Sequence, residues 1–454
     1  MPRARWWVLA VLSLITVSVV ILDATGVIFN TEPATPSLAP LNFESPRSLT
    51  PVMATANTNG PRLLPSEVRD SLIHALADKS LGPRVQASVT TADGTSLLSI
   101  DAGLGSTPAS TIKLLTATAV LDSVPPSTVL ETRVVRGQHA DDIVLVGGGD
   151  ATLTVDSHRG QPWASLERLA RRTAKQLKDS GANRVHLDFD DSLFTGPEIA
   201  PTWEPDYVTS GVVAPVTALM ADQGLVSDKG LDRYPAPAVA AADEFADLLE
   251  RAGVTVRGDP QSVRTAATAD SLAAVQSPPV AQLVERMLRD SDNQLAEALG
   301  RVVALSVGEP GSFNGASQAI VSAAHDRGIS LNADHIHDAS GLSRDDLVPT
   351  SALAGVLVAA SNDDQLEPIL EGLPVSGFDG TLVDRYLSPP ESDAAGVVRA
   401  KTGTLTGVSA EAGTTVTCDG QLVVFAFMAD RVPYDTVAAR DALDRAAASL
   451  SSCP

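Results

Sequence analysis

The sequence predicts an α/β (α+β) fold in which an antiparallel sheet is flanked by helices and interrupted by a large mixed α/β insertion. Strand patterns lie near both ends of the chain, at 84–101 and 396–431, and helical patterns lie between them. This order favours one antiparallel sheet built from both termini. Residues 129–271 alternate short strands with amphipathic helices, which indicates an insertion in that domain. The chain of 454 residues is long enough for two or three domains.

The composition excludes one class of partner. The net charge is −22, whereas binding to nucleic acid needs a basic surface. The chain has two cysteines, Cys418 and Cys453, and no Cys-x-x-Cys pattern of a metal site. His335 and His337 are the closest pair of candidate ligands, and we interpret them as loop residues. We therefore expect no nucleic acid partner, no metal and no cofactor.

The N-terminus has the pattern of an export signal. Arg3 and Arg5 precede an uncharged run from Trp6 to Leu22, and small residues follow at 24–26. The run is near the short limit of a membrane span, so it is either cleaved or retained as a transmembrane anchor. In both cases the positive flank places the rest of the chain outside the cytoplasm, in the cell envelope.

These patterns divide the chain into four parts. Residues 1–30 are assigned to the signal or membrane anchor. Residues 31–66 are rich in Pro, Ser, Thr and Asn and lack apolar periodicity, which is typical of a flexible linker. The main domain is assigned to 67–128 and 272–454, and 129–271 form the inserted accessory region.

In the first part of the main domain, apolar spacing predicts a helix from Pro65 to Lys79. Asp93-Gly94 lies between two strand patterns and predicts a hairpin turn. The stretch "PASTIKLLTA" then begins a helix that ends at Pro125-Pro126, because proline does not continue a helix.

The insertion is predicted to hold short strands in "TRVVRG" and "DDIVLV", followed by an amphipathic helix that ends at Gly181. A strand in "RVHLDFDDSLF" and a helix and strand in "APAVAAADEFADLLERAGVTVRG" complete it. The glycines at 147–149 are interpreted as a tight turn, because no Gly-Lys-Ser/Thr of a phosphate-binding loop follows them.

The last part is predicted to begin with two helices that are broken at "DSDN", which places Ser291 and Asn293 in a short connection. Further helices are expected near 315–327 and 350–361. Strands with a hairpin turn at Asp419-Gly420 and a C-terminal helix follow. Cys418 and Cys453 would meet if that helix packs on that hairpin, and the sequence leaves a disulfide and two free thiols both open.

Ser110 and Lys113 are the first candidates for chemistry. Residues at i and i+3 share a helix face, and unpaired backbone N–H groups at a helix N-terminus favour developing negative charge. A serine hydroxyl is a poor nucleophile until a base removes its proton, and a buried lysine with a lowered pKa can be that base. The pair therefore indicates an acyl-transfer nucleophile, although Ser-x-x-Lys also occurs by chance.

Two later motifs add polar groups. Ser291 and Asn293 supply a hydroxyl and an amide at the helix break. Lys401-Thr402-Gly403 begins a strand, where the lysine can hold a substrate carboxylate and the glycine lets a ligand approach the backbone. In this order the three motifs are much more specific than any one of them.

The ordered motifs resemble those of penicillin-binding proteins and related serine β-lactamases, and the long interval after the first motif narrows the resemblance. The chain is identified as a member of the class C low-molecular-mass penicillin-binding proteins of actinobacterial type, the S13 serine peptidases that include D-alanyl-D-alanine carboxypeptidase/endopeptidase. The stretches that carry this resemblance are "PASTIKLLTA", "LVGGGDATL", "DDSLFTGP", "RDSDNQLAEALG", "HDASGLSRDDLV", "GFDGTL" and "VRAKTGTLTGVSA".

The resemblance implies roles for the matching positions. Ser110 is the acylated nucleophile, Lys113 activates it, and Ser291 shuttles a proton. Asn293 holds the substrate amide. The backbone N–H groups of Ser110 and Thr404 form the oxyanion hole.

The same resemblance implies a substrate-binding set. Lys401 supplies positive potential near the terminal carboxylate of the substrate, and Thr402 and Thr404 beside Gly403 donate hydrogen bonds. Arg344 shapes the pocket for the stem peptide, with pairing to a neighbouring aspartate as the alternative.

Two further acidic residues remain open. Asp190 is a weaker candidate from the insertion. Glu411 stands where the resembled family usually has an apolar residue, and it either alters the electrostatics of the pocket or points to solvent, since strand side chains alternate faces.

The expected function is a serine DD-carboxypeptidase/endopeptidase that cuts the D-Ala–D-Ala end, or D,D cross-links, of peptidoglycan stem peptides. β-Lactams would be covalent inhibitors. The alternatives are a β-lactamase, which would need a water positioned for deacylation, and a catalytically weak envelope scaffold with the same fold.

Overall fold

The computed structural model describes residues 63–157, 164–227, 229–266, 268–331, 335–433 and 436–451. The predicted signal or anchor, most of the predicted linker and Cys453 lie outside these ranges. Within them, none of the helices combines the length and apolar character that a membrane span requires.

The helices match the predicted pattern, with ends that differ by a few residues. The first begins at Pro65, so the end of the predicted linker is helical. The helices in chain order are α1 (Pro65–Leu76), α2 (Lys113–Ser123), α3 (Leu166–Asp179), α4 (Pro237–Arg251), α5 (Val280–Arg289), α6 (Asn293–Ser306), α7 (Phe313–Asp326), α8 (Thr350–Ala360), α9 (Glu367–Glu371) and α10 (Thr436–Ser451).

The strands form two larger sheets and one short pair. In chain order the strands are β1 (Val85–Thr91), β2 (Ser96–Ile100), β3 (Gly105–Ser106), β4 (Glu131–Arg136), β5 (Asp142–Val146), β6 (Arg184–Asp190), β7 (Thr255–Arg257), β8 (Ser271–Gln276), β9 (Val348–Pro349), β10 (Arg399–Leu405), β11 (Val408–Val416) and β12 (Leu422–Ala429).

The first sheet has the order β10-β11-β12-β1-β2, and all its pairs are antiparallel. β1 from the start of the chain pairs with β12 from its end, so the prediction of a sheet built from both termini is confirmed. Both predicted hairpins are present, between β1 and β2 and between β11 and β12. β10, which carries the Lys-Thr-Gly motif, is one of the two edge strands, and β2 is the other.

This sheet is buried on both faces, as its apolar strands require. Along β12, Val424, Ala426 and Met428 pack into a core with α2 and α8, whereas Phe425 and Phe427 pack into a second core with α1 and α10. The first core also contains α5 and α6, so the helices that carry the predicted catalytic motifs lie on one face of the sheet.

The second sheet, β7-β6-β5-β4-β8, is formed largely by the predicted insertion, and it mixes parallel and antiparallel pairs. α3 and α4 pack in its core. β8 extends to Gln276 and pairs with β4, so residues 272–276, which the sequence interpretation gave to the main domain, belong to this sheet. We propose that the accessory region runs to Gln276.

Part of the insertion also packs against the catalytic helices. Trp203, Val213 and Met220 share the core of α2, α5 and α6. The indole N–H of Trp203 donates to Asp338 Oδ2 at 2.7 Å. The segment between β6 and α4 therefore reaches the region of the predicted motifs.

Cys418 lies in the turn between β11 and β12 and is disulfide-bonded. The chain has one other cysteine, Cys453, which is outside the described residues. The turn therefore has a covalent attachment in addition to its hydrogen bonds.

Candidate active site

Ser110 lies in a 3₁₀ turn, Ala109–Ile112, that continues directly into α2. Positions i and i+3 are aligned in a 3₁₀ helix, and Lys113 Nζ accordingly lies 2.9 Å from Ser110 Oγ. Ala109 has φ of 46°, a left-handed conformation that alanine rarely adopts. The residue before the candidate nucleophile is thus held in a strained backbone.

Lys113 is fully buried and has two further partners. Its Nζ lies 2.8 Å from Asn293 Oδ1 and 2.6 Å from the Ser340 carbonyl oxygen. A neutral amine can donate to these two oxygens and accept the hydroxyl proton of Ser110, so the arrangement fits a base. Burial lowers the pKa of Lys113 to about 8, and the nearby carboxylates of Asp338 and Glu297 act in the opposite direction.

Ser291 and Asn293 lie where α5 ends and α6 begins. Ser291 has φ of 54°, which turns the chain between the two helices. Asp292 caps α6 by accepting the backbone N–H of Leu295. Asn293 is the first residue of α6, and besides its contact with Lys113 its Nδ2 donates to the Val212 carbonyl at 3.4 Å.

Lys401 joins the third motif to the second. Its Nζ lies 2.9 Å from Ser291 Oγ and 2.8 Å from the Thr402 carbonyl oxygen. Burial, together with the positive charges of Lys113 and Arg385, lowers the pKa of Lys401 well below its ordinary value. The three predicted motifs therefore meet in one polar cluster inside an apolar core.

Gly403 brings β10 against the serine turn. A Cβ at this position would lie 2.7 Å from the Pro108 carbonyl oxygen and 3.2 Å from the Ser110 backbone nitrogen. Thr404 follows it with an exposed side chain. The backbone of the edge strand therefore runs beside the backbone of Ser110, as an oxyanion hole shared by these two segments requires.

Thr402 lies on the opposite face of β10 from Lys401. It pairs with Glu411 across the sheet, and its Oγ1 is 2.8 Å from Thr381 Oγ1. Thr381 belongs to the "GFDGTL" stretch, to which sequence reasoning gave no role. The contact holds the Thr402 hydroxyl in place.

Arg344 is half-exposed and pairs with residues distant in sequence. Its Nε donates to Glu204 Oε1 at 2.9 Å, and its Nη1 donates to the Thr406 carbonyl at 2.9 Å. The sequence alternative, pairing with an adjacent aspartate, is not what the structure shows. Arg344 instead connects the insertion to the turn that follows the Lys-Thr-Gly strand.

Asp190 holds a loop within the second sheet. It accepts the backbone N–H of Ser192 at 2.9 Å and both the N–H and the hydroxyl of Thr265 at 2.7 Å. These bonds, which outweigh burial, lower its pKa. The contacts account for Asp190 as a structural residue of the insertion.

Glu411 is fully buried on the sheet face that packs against α10. Tyr386 donates its hydroxyl to Glu411 Oε1 at 2.8 Å, and Arg385 lies between Glu411 and Asp444. Burial raises the pKa of Glu411 to about 8. Glu411 is buried beneath α10, so the expectation that it points to solvent is wrong. It pairs with Thr402 on the face opposite Lys401, and an effect on the electrostatics of the pocket stays a prediction.

Two functional contacts were missed because they use backbone oxygens. The carbonyls of Ser340 and Val212 fix Lys113 and Asn293, and side-chain identity carries no signal of such a contact. The loop that presents Ser340 is held by Asp338, which accepts backbone N–H groups of Ser340, Gly341 and Ser343. An aspartate followed by small residues predicts a turn, but the sequence does not show that a carbonyl of this turn contacts Lys113.

Comparisons with known proteins show the family of this chain. The family model described as D-Ala-D-Ala carboxypeptidase 3 (S13) matches residues 68–235 and 231–450. A carboxypeptidase of Mycobacterium tuberculosis is 34% identical over 76% of this chain and 75% of its own length. Carboxypeptidase DacB of Mycolicibacterium smegmatis is 33% identical over 92% of this chain and 88% of its own length.

The fold has a counterpart among solved structures. Penicillin binding protein 4 from Haemophilus influenzae covers 86% of this chain and 98% of its own, with a TM-score of 0.67 and 22% identity. At this identity the likeness concerns the fold.

Proposed function

The chain belongs to the D-Ala-D-Ala carboxypeptidase 3 (S13) family, and from that premise we propose that Ser110 is its acylated nucleophile. The protein is a serine-type DD-carboxypeptidase/endopeptidase that acts on peptidoglycan. The observation that carries the assignment is the 2.9 Å contact between Ser110 Oγ and the buried Nζ of Lys113.

In the acylation step, Ser110 gives its hydroxyl proton to neutral Lys113 as its Oγ bonds to the carbonyl carbon of the penultimate D-Ala. The N–H groups of Ser110 and Thr404 stabilise the oxyanion. Ser291 relays a proton from Lys113 to the departing nitrogen as the C–N bond breaks. Free D-Ala leaves, and an ester remains on Ser110.

In deacylation, a water molecule attacks the ester, and its proton returns through Lys113 to the Ser110 oxygen. Asn293 holds the substrate amide from the side opposite β10. Lys401 supplies positive potential for the terminal carboxylate of the substrate, whose negative charge favours the protonated lysine against the lowering of its pKa by burial. The hydroxyls of Thr402 and Thr404 are the proposed hydrogen-bond donors to that carboxylate. Gly403 keeps the strand close enough to Ser110 for both halves of the oxyanion hole to reach one oxygen.

Arg344 is proposed to shape the outer pocket for the stem peptide. Its ion pair with Glu204 places it between the insertion and the Thr406 turn, at the end of β10. The side chain is partly exposed, so solvent screening keeps this pair weak enough to exchange for a substrate group.

The enzyme is expected in the cell envelope, where its substrate lies. We propose that residues 1–30 direct export and are then cleaved or retained as an anchor. Fractionation of cells into membrane and soluble envelope material, with N-terminal sequencing of the mature chain, separates these two outcomes.

The central test uses benzylpenicillin and a peptide that ends in D-Ala-D-Ala. We expect a stable adduct on wild-type protein, mapped by mass spectrometry of tryptic peptides to Ser110, and release of D-Ala. Rapid turnover of the drug without D-Ala release would identify a β-lactamase instead. Folded protein that neither labels nor releases D-Ala would contradict the catalytic assignment.

Acylation should depend on the protonation of Lys113. Because the base must be neutral and its pKa is lowered to about 8, the second-order acylation rate should rise about tenfold per pH unit below pH 8 and level off above it. Stopped-flow measurement with a chromogenic β-lactam between pH 6 and 10 tests this. A rate that is flat across this range in folded protein would contradict a base that titrates near pH 8.

The same group has a predicted effect on stability. An unfolded lysine keeps its proton up to its ordinary pKa of 10.5, whereas folded Lys113 releases it near 8. Between these values the unfolded state binds more protons, so this residue's contribution to the free energy of unfolding increases with pH across the window. Thermal unfolding should therefore be measured in the same buffers, so that a change in stability with pH is distinguished from a change in the acylation rate.

A further inference from the structure

The insertion forms hydrogen bonds with three consecutive residues at the start of α6, beside Ser291. Val212 accepts a hydrogen bond from Asn293, and the backbone N–H of Ala214 donates to Gln294 Oε1 at 2.9 Å. Gln223 Nε2 donates to Asp292 Oδ2. One segment of the insertion thus contacts the three residues that follow Ser291.

Asp292 lies between the two residues to which the mechanism assigns chemistry. Its Oδ1 caps α6 through the Leu295 N–H at 3.0 Å, and its Oδ2 accepts from Gln223, with Arg286 Nε at 3.5 Å. The side chain is only 7% exposed. With each oxygen held from a different side, the carboxylate cannot rotate without breaking a contact, and Ser291 and Asn293 are fixed with it.

The turn that presents Gln223 is strained. Asp222 and Gln223 have φ of 47° and 56°, and Gly224 follows with φ of 70°. Non-glycine residues in this region persist only where their surroundings hold them, and they concentrate at functional sites. Here the Asp222 N–H donates to the Leu153 carbonyl, and the Tyr234 N–H donates to the Gly224 carbonyl, each at 2.8 Å.

Arg233 donates hydrogen bonds to both turns of the insertion that contact the start of α6. Its Nη1 donates to the Gln223 carbonyl at 2.8 Å, and its Nε donates to the Gly211 carbonyl at 3.2 Å. Gly211 precedes Val212, which holds Asn293. A single half-buried guanidinium therefore links the turn that contacts Asp292 to the turn that contacts Asn293.

We propose that Gln223 is a positioning residue, which acts through Asp292 to fix Ser291 and Asn293 in their catalytic orientation. This inference rests on the proposed function, because it assigns Gln223 a role in the chemistry of those two residues. The insertion would then contribute to catalysis, because its hydrogen bonds fix the positions of Ser291 and Asn293.

The test replaces Gln223 with methionine, which keeps the length of the side chain and removes its donor. Gln223→Met is expected to lower kcat and the acylation rate by benzylpenicillin about tenfold, the scale of a lost hydrogen bond to a charged group, with little change in KM. Gln223→Asn is the second variant, because asparagine tolerates positive φ but its amide is too short to reach Asp292, and it should show the same loss.

The matched control is Gln261→Met. Gln261 is exposed in the same insertion, and among the described residues its side chain donates hydrogen bonds only to the carbonyls of Asp259 and Pro260. This variant should acylate like wild type. Thermal unfolding of all variants shows whether a lower rate comes from unfolded protein or from a changed orientation of Ser291 and Asn293 in folded protein.

A double-variant cycle tests the route through Asp292. Asp292→Asn preserves the helix cap, because asparagine is as good an N-cap as aspartate. If Gln223 acts through Asp292, the combined loss in Gln223→Met/Asp292→Asn is smaller than the product of the two single losses.

Wild-type acylation with unchanged rates in both Gln223 variants would overturn this inference and leave the proposed function intact. A double variant whose loss in rate equals the product of the two single losses would also overturn the inference, because Gln223 and Asp292 would then act independently. Failure of folded wild-type protein to acylate would instead remove the proposed function, and this inference with it.

Discussion

Replacement of Ser110 by alanine is expected to abolish covalent labelling by benzylpenicillin and to reduce D-Ala release by roughly 10⁴-fold or more. The side-chain oxygen is the atom that forms the acyl-enzyme, and Lys113 can only activate an oxygen that is present. The measurement is intact-mass spectrometry of the adduct together with an assay of released D-Ala.

Ser110→Ala should fold like wild type. The serine side chain loses one contact, with Lys113 Nζ, and the lysine keeps the Asn293 and Ser340 oxygens. Ser361→Ala is a matched control: Ser361 follows the last residue of α8, and within the described part of the chain its hydroxyl donates only to the Leu357 carbonyl. This control should label fully and unfold at nearly the same temperature.

Labelling that persists in Ser110→Ala would show that a different residue is acylated. The adduct would then have to be mapped, and Ser291 would be the first residue to examine, because its hydroxyl lies 2.9 Å from Lys401 Nζ. Such a result would exchange the proposed roles of the two serines while leaving the family membership unchanged.

The sequence was most informative where short patterns determine local structure. Apolar spacing predicted the helices, and turn residues predicted both hairpins of the first sheet. The order of the three motifs gave the resemblance that assigns roles to Ser110, Ser291 and Lys401, although these residues lie far apart in the chain. In the structure, Lys113 contacts Ser110 and Asn293, and Lys401 contacts Ser291.

The sequence was least informative where a side chain's environment is set by distant elements. Strand alternation places Glu411 on one face or the other, but which face lies under α10 follows from the long-range packing of that helix on the sheet. Arg344 pairs with Glu204, far away in sequence, rather than with a neighbour. Gln223 belongs to a strained turn with no recognisable motif, so its contact with Asp292 appears only in three dimensions.

The limit of the insertion shows the same difficulty. β8 is a short strand, Ser271–Gln276, and it comes just before the helical stretch that begins the last part of the chain. Its partner, β4, lies on the other side of the insertion, and the pairing therefore depends on long-range contacts. Local patterns indicated that a mixed α/β insertion exists, and its limit at Gln276 is our proposal from this pairing.

Gly403→Ala is expected to lower the acylation rate by about 10²-fold, the cost of a small misplacement of reacting groups. The added Cβ would lie 2.7 Å from the Pro108 carbonyl oxygen, a backbone atom that cannot rotate away. Either β10 or the serine turn must move, and the Ser110 and Thr404 N–H groups then no longer converge on one oxygen. Stopped-flow acylation and D-Ala release measure this loss.

The matched control for Gly403→Ala is Gly355→Ala in α8. A Cβ at Gly355 would lie 3.4 Å from the nearest Ile329 atom, an ordinary contact, and alanine is favoured over glycine within a helix. The control should retain wild-type rates, whereas Gly403→Ala should also lose about 1–3 kcal/mol of stability through overpacking. If Gly403→Ala instead acylates at the wild-type rate, the close approach of β10 to the serine turn does not set the geometry of the oxyanion hole, and the donors must be sought elsewhere.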